Sequence, residues 1–182
     1  RSKEGPLEFF RNYEGYVQAD GYSAYDQPTA KPEIVRVGCM AHARRKFVEA
    51  FDNGDQRAEE FILLIGTLYL LEKMCKDENK SREEIYALRQ EHATPVLTNI
   101  KAKMQALQRE ALPGSDLGKA ITYAMNEWKY LCNYLLDGNL DIDNNIAERC
   151  IKEVVIVTTT RFARSLSAGP MLLLSMRLSS IL

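Results

Sequence analysis

Asp143-Asn144-Asn145-Ile146-Ala147-Glu148-Arg149 is the stretch on which the reading of the whole chain turns. Its polar front has the composition of a helix start. Asp143 can accept hydrogen bonds from the free N–H groups of a first turn, and Ile146, Ala147 and Ile151 form an apolar stripe behind it. Glu148 falls just over one turn in, with Arg149 and Lys152 close by. A carboxylate on a short, well-capped helix is held firmly enough to bind or orient a metal ion. An amphipathic helix with a merely solvated Glu fits the same seven residues, because most surface Glu side chains are solvated. The choice between these readings depends on a second acid far upstream, Asp20.

Residues 15–20, Gly-Tyr-Val-Gln-Ala-Asp, alternate apolar and polar positions and are rich in strand formers, so they read as a strand ending in Asp20. Gly21 permits a sharp turn, residues 22–26 continue as a helical turn, and Pro28 and Pro32 mark a loop. Residues 34–39 are β-branched and compact, a second strand beside the first. An acid at the C-terminal end of a strand stands where ligand and metal sites form in α/β sheets. The same Asp can also serve simply as a turn former.

A chain of 182 residues with 46% apolar content can bury the core of one domain, or of one domain carrying an insertion. The net charge of -1 excludes a global basic field, so any contact with nucleic acid must come from local patches. Cys39, Cys75, Cys132 and Cys150 lack a framework spacing, which suits a reducing cytoplasm. The longest apolar run, residues 61–71, is too short to span a bilayer, and residues 1–6 have no signal-peptide hydrophobic region. Those first residues also lack an initiator Met, so the reading frame is expected to start further upstream.

Beyond Cys39 the texture becomes helical. Residues 40–51 place Met40, Ala43, Phe47, Val48 and Phe51 on one face and Arg44, Arg45 and Lys46 on the other. The basic triplet is a candidate phosphate contact, or else a solvated face. Cys39-x-x-His42 has metal-like spacing, yet only one other His exists, so a thiol and imidazole packed at a strand-to-helix junction is the reading preferred over zinc. In residues 59–75, Phe61, Leu64, Ile65, Leu68, Leu71 and Met74 recur at helical spacing. Ser81-Arg82-Glu83-Glu84 is a capping box opening a helix that Thr94-Pro95 should kink or split. After the break at Pro113-Gly114-Ser115, Ser115 can cap a helix over residues 116–136, with Ile121, Trp128, Leu131, Leu135 and Leu136 on its apolar side. Asp137-Gly138-Asn139 stops it. The expected fold class is therefore α/β and mostly helical, with residues 54–137 a helical insertion between the second strand and the helix of Glu148.

Four blocks stand in order: Val17-Gln18-Ala19-Asp20-Gly21-Tyr22-Ser23-Ala24-Tyr25, residues 38–47 (Gly-Cys-Met-Ala-His-Ala-Arg-Arg-Lys-Phe), residues 112–120 (Leu-Pro-Gly-Ser-Asp-Leu-Gly-Lys-Ala), and residues 142–149. Together, over roughly residues 1–157, they resemble the transposases of the insertion sequence 66 family, bacterial DDE enzymes. The resemblance implies a partial RNase-H-like core of two strands plus helices, interrupted by the helical insertion. Residues 1–53 would carry the second acidic residue, Asp20, and residues 138–157 the third, Glu148. It implies Mg²⁺ or Mn²⁺ held by these carboxylates, hard cations that lower the pKa of a bound water and clamp the oxygens of an in-line phosphoryl transfer. In such enzymes water frees a 3′-hydroxyl at the element end, and that hydroxyl attacks target DNA. Arg44, Arg45, Lys46 and Arg149 would contact DNA phosphates. The expected partners are element-end and target DNA and further copies of the parent enzyme, in the cytoplasm and away from membranes. The family's first catalytic Asp lies upstream of residue 1, so the fragment is expected to be inactive alone. The competing class is a non-catalytic helical module binding protein or nucleic acid, in which Asp20 and Glu148 are structural.

After Val157 the texture changes to Thr158-Thr159-Thr160-Arg161-Phe162 and a Leu/Ser-rich tail, interrupted by Ser165, Ser167 and Gly169-Pro170. Residues 158–182 are read as an atypical tail, the trace of a shifted reading frame. Translation of the coding DNA in its other two frames past Val157 should yield the family's basic-aromatic loop and following helix; if neither frame does, the tail is the protein's own.

Overall fold

β-branched residues at 34–37 and alternation at 15–18 make two short strands, and the apolar stripes that follow make helices stacked beside them. The computed structural model describes residues 12–19 and 31–145. Strand β1 (Gly15–Gln18) pairs in parallel with β2 (Ile34–Val37), with Gly15 opposite Ile34 and Gln18 opposite Val37. Both strands stop two residues short of the ends expected from alternation. Ala19 still donates its N–H to Val37 O (3.0 Å), but the Gly38 N–H turns away to Tyr130 O (2.8 Å). Asp20 and residues 22–26 lie outside the described residues.

Helix α1 (Met40–Asp52) buries Met40, Ala43, Phe47 and Ala50. Its inner face is rotated from the expected one: Val48 and Phe51 are half-buried at the edge, and Ala50 takes the interior position. Helix α2 (Ala58–Asp77) buries Phe61, Ile65, Leu68 and Cys75, with Leu64 and Leu71 at the margin and Met74 exposed. The Phe47 and Phe61 rings stack with centroids 4.6 Å apart, joining α1 to α2.

Helix α3 (Arg82–Leu88) opens with the capping box: Ser81 Oγ accepts the Glu84 N–H (3.3 Å) and the Ser81 N–H donates to Glu84 Oε2 (2.7 Å). A π-helical turn (Arg89–Ala93) then leads into α4 (Thr94–Leu107). The turn explains how the chain passes Pro95. Proline has no N–H and its ring collides with the carbonyl four residues back in α geometry. A widened turn just before it removes that collision, so the rod continues.

Helix α5 (Asp116–Cys132) starts where Ser115 Oγ accepts the Gly118 N–H (3.0 Å). It gives way to a 3₁₀ segment (Asn133–Leu136), four residues before the expected α-helical end. There Asn133 Nδ2 donates to Arg36 O (2.7 Å), Tyr134 enters the core, and Leu136 faces solvent instead of the apolar side. Asn139 N–H then donates to Asp137 Oδ1 (2.8 Å), the turn that ends the helical run.

One apolar core runs through β2 and the helices, including Val37, Met40, Phe47, Ile65, Leu97, Met104, Leu117, Ile121 and Ile142. Helix α5 lies directly on β2. A Cβ at Gly38 would come within 2.9 Å of Leu131 N, so only glycine allows this approach. Arg36, buried in β2, pairs with Glu127 Oε2 (2.6 Å) and lies 4.2 Å above the Tyr130 ring. The architecture is α/β dominated by helix.

Arg89, in the π turn, is buried and spends all five N–H donors. Nε and Nη2 grip Glu72 of α2 (2.9 and 2.7 Å). The others reach Tyr134 O (2.8 Å), Asp137 O (2.9 Å) and Leu140 O (2.8 Å). Breaking such a pair strands a buried charge. Arg89→Met should therefore lower stability by about 3 kcal/mol in urea unfolding. Glu72→Leu should also destabilise, and the double variant should be markedly less destabilised than the sum of the two.

Candidate functional site

The two sequence-derived acids, Asp20 and Glu148, and the cation Arg149 lie outside the described residues. What the structure describes is the chain on either side of them. Ala19, buried at the end of β1, directly precedes Asp20. Residues 141–145 are the described approach along the chain to Glu148.

These two approaches meet. Gln18 Nε2 donates to Asp141 O (2.9 Å) and, more weakly, to Gly38 O (3.4 Å). The Met40 N–H donates to Ile142 O (3.0 Å), and Ile142 is buried in the core. Segment 141–142 is thus fastened to the C-terminal end of β1 and to the β2–α1 junction. The strand edge places hydrogen-bonding groups there that β1 and β2 no longer use between themselves.

Asp143 is fully engaged. Its Oδ2 accepts the Tyr69 hydroxyl (2.7 Å) and the Asn145 amide (2.8 Å), and its Oδ1 accepts the Asn145 N–H (2.9 Å). This carboxylate therefore organises the turn and is not a spare ligand. Burial, reinforced by the bond to Asp143 and its negative charge, pushes the Tyr69 hydroxyl far above the ordinary tyrosine range. Cys39 is buried at the strand-to-helix junction, and burial raises its thiol pKa as well. Among the described residues, no three His, Cys, Asp or Glu side chains converge on a common point. Carboxylates such as those of Asp20 and Glu148 suit a hard cation by donor type.

The basic triplet is divided by the fold. Lys46 Nζ sits 4.9 Å over the Tyr123 ring, on the side of α1 that faces α5. Arg44 and Arg45 instead line a cleft of about 480 Å³ with Ala41, Val48, Gly66, Tyr69 and Asn145. The cleft lies between α1 and α2, at the turn leading to Glu148. Sequence reading did not single out Gln18, Tyr69 or Gly66. Gln18 and Tyr69 look like ordinary surface positions until residues 141–143 are folded against them, but an isolated glycine inside the helical pattern of residues 59–75 was a usable signal.

A family model described as transposase IS66 family matches residues 1–169. The match continues past Val157, so family similarity does not end where the four blocks do. Uncharacterized protein y4jD of Sinorhizobium fredii is 32% identical over 152 residues, covering 80% of this chain and 29% of that protein. Uncharacterized protein y4qI of the same organism is 32% identical over 167 residues, covering 86% and 30%. The chain spans less than a third of the length of these relatives. No solved structure matches it. Among the described residues no helix is long and apolar enough to cross a membrane.

Tyr69→Phe should cost about 1–2 kcal/mol at neutral pH, since Asp143 loses a donor. Because the folded protein holds the Tyr69 proton more tightly than the unfolded chain, that contribution is complete below pH about 10 and is lost as pH rises beyond it. Unfolding measured from pH 7 to 11 should show the wild type losing stability at the alkaline end, with Tyr69→Phe losing less.

Proposed function

The chain belongs to the IS66 transposase family, and on that premise we propose that it carries two of the three acids of a DNA-cleaving and DNA-joining site, Asp20 and Glu148. The observation that carries this reading is the bond from Gln18 to Asp141 O, 123 residues apart, which brings the approaches to both acids to one strand end. In this reading β1 and β2 belong to an RNase-H-like sheet, residues 54–137 are a helical insertion, and residues 138–157 return the chain to the sheet with Glu148.

Asp20 and Glu148 would hold a divalent cation, Mg²⁺ or Mn²⁺, together with an acid from the upstream part of the longer protein. When bound, such an ion supplies charge neutralisation at phosphate oxygens and a more acidic water. The chain's own contribution is placement. Asp143 and Tyr69 hold the turn ahead of Glu148, and Arg44, Arg45 and Arg149 offer cations to DNA phosphates, whereas Lys46 is turned toward Tyr123. The reaction class is phosphoryl transfer: water cleaves at the element end to free a 3′-hydroxyl, which then joins to target DNA. Element-end and target DNA are the proposed substrates. The proposed setting is a cytoplasmic assembly of several copies.

The test uses the longer protein with its upstream strands present. It should nick element-end DNA with Mg²⁺ or Mn²⁺, stop when a chelator removes the metal, and recover on its return. Glu148→Gln and Asp20→Asn keep size and hydrogen bonding but remove the charge that holds a cation, so each should reduce nicking to background with an unchanged melting temperature. Full activity in Glu148→Gln would remove that residue from the site. A folded, DNA-binding protein that is inert with both metals would point to a non-catalytic helical module.

A further inference from the structure

The cleft between α1 and α2 has three features that its packing does not require. Arg44 and Arg45 both line it, and neither makes an ion pair or hydrogen bond with any described residue. Of the five other described arginines, Arg36, Arg57, Arg82 and Arg89 have carboxylate partners and Arg109 has none among the described residues. Two arginines with no acid partner among the described residues, both lining one cleft, are disposed to meet an anion.

Gly66 is the second feature. It sits in the interior of the long helix α2, where glycine weakens a helix relative to alanine. Gly38, Gly118 and Gly138 are each required by a neighbouring backbone, but a Cβ at Gly66 would meet nothing within 4 Å. No described neighbour demands the missing side chain, and what its absence leaves is room in the cleft wall. The third feature is Asn145. Its amide nitrogen is committed to Asp143, which fixes the side chain at the cleft mouth, three residues before Glu148.

We propose that this cleft binds the sugar-phosphate backbone of a DNA strand, with Arg44 and Arg45 on successive phosphates, Gly66 giving the backbone space to approach, and Asn145 marking the end nearest Glu148. The inference rests on the transposase reading for its choice of anion. It goes further by separating the basic triplet: Arg44 and Arg45 are the contacts, and Lys46, held over Tyr123 on another side of α1, is not. An extended strand matches an open trough with two neighbouring cations on one wall and Gly66 on the other better than a single small anion does.

The experiment measures binding of a fluorescent single-stranded oligonucleotide, and of the same sequence as duplex, to the 182-residue chain by anisotropy across a salt series. Circular dichroism melts accompany each variant. Arg44→Gln with Arg45→Gln should weaken binding at least tenfold and make the log–log salt slope shallower by about 1.4. Gly66→Phe should fill the cleft and weaken binding at least tenfold while melting no lower than wild type. Lys46→Gln should stay within about twofold of wild type. Wild-type affinity in Gly66→Phe, or a loss in Lys46→Gln equal to that of the arginine pair, overturns the proposal. So does a wild-type chain that binds neither form of DNA. Metal-dependent nicking by the longer protein is read separately, so nicking that survives Gly66→Phe would sink the cleft and leave the reaction class standing.

Discussion

A single guanidinium holds the end of the helical region in place. Arg89 has five N–H groups and the fold supplies five acceptors, two on Glu72 and three on the carbonyls of Tyr134, Asp137 and Leu140. A charge buried this deeply is tolerated only when every donor is satisfied, because desolvation otherwise outweighs attraction. The consequence is geometric. Within residues 134–140 Tyr134 is buried in the core and Leu135 and Leu140 pack against it, and three carbonyls of the same segment are fixed relative to α2 and the π turn. The Arg82–Asp137 ion pair (2.5 Å) and the close approach of Gly138 to the Arg82 carbonyl hold the same turn from its other side.

The fixed turn matters because it delivers residues 141–145 to the strand ends. Leu140, the last carbonyl that Arg89 holds, is followed at once by Asp141 and Ile142, which bond to Gln18 and Met40. Helix α2 contributes twice along this route, through Glu72 to Arg89 and through Tyr69 to Asp143. Helix α5 is clamped to β2 by Arg36–Glu127 and by the Gly38 contact. The helical region therefore acts as the frame that decides where the chain toward Glu148 begins, and its core is continuous with that of β2.

The charged residues divide along the same lines. Arg36 and Arg89 are interior and paired, and they fix element to element. Arg44 and Arg45 are on the rim of a cleft and unspent on described neighbours, which is the disposition of groups that meet a mobile anion. With a net charge of only -1, this chain has no long-range basic field, so contacts with nucleic acid depend on such local placement.

Local rules in the sequence determined the features that depend on near neighbours alone. The capping residues Ser81 and Ser115, the strand positions of Val17 and Val37, and the helical stripes through Phe47, Phe61 and Ile121 are set by spacing of three, four or two residues. The sequence marks Glu72 and Arg89 only as charged residues within helical stretches. It could not say that they face each other, because two separate helical stretches carry no information about their crossing. The same limit applies to Gln18 with Asp141, to Tyr69 with Asp143, and to the division of Arg44 and Arg45 from Lys46. Each depends on how helices rotate to bury their largest side chains together. That rotation also turned Ala50 inward and left Val48 and Phe51 at the edge, since the whole core must close at once while periodicity specifies each helix alone.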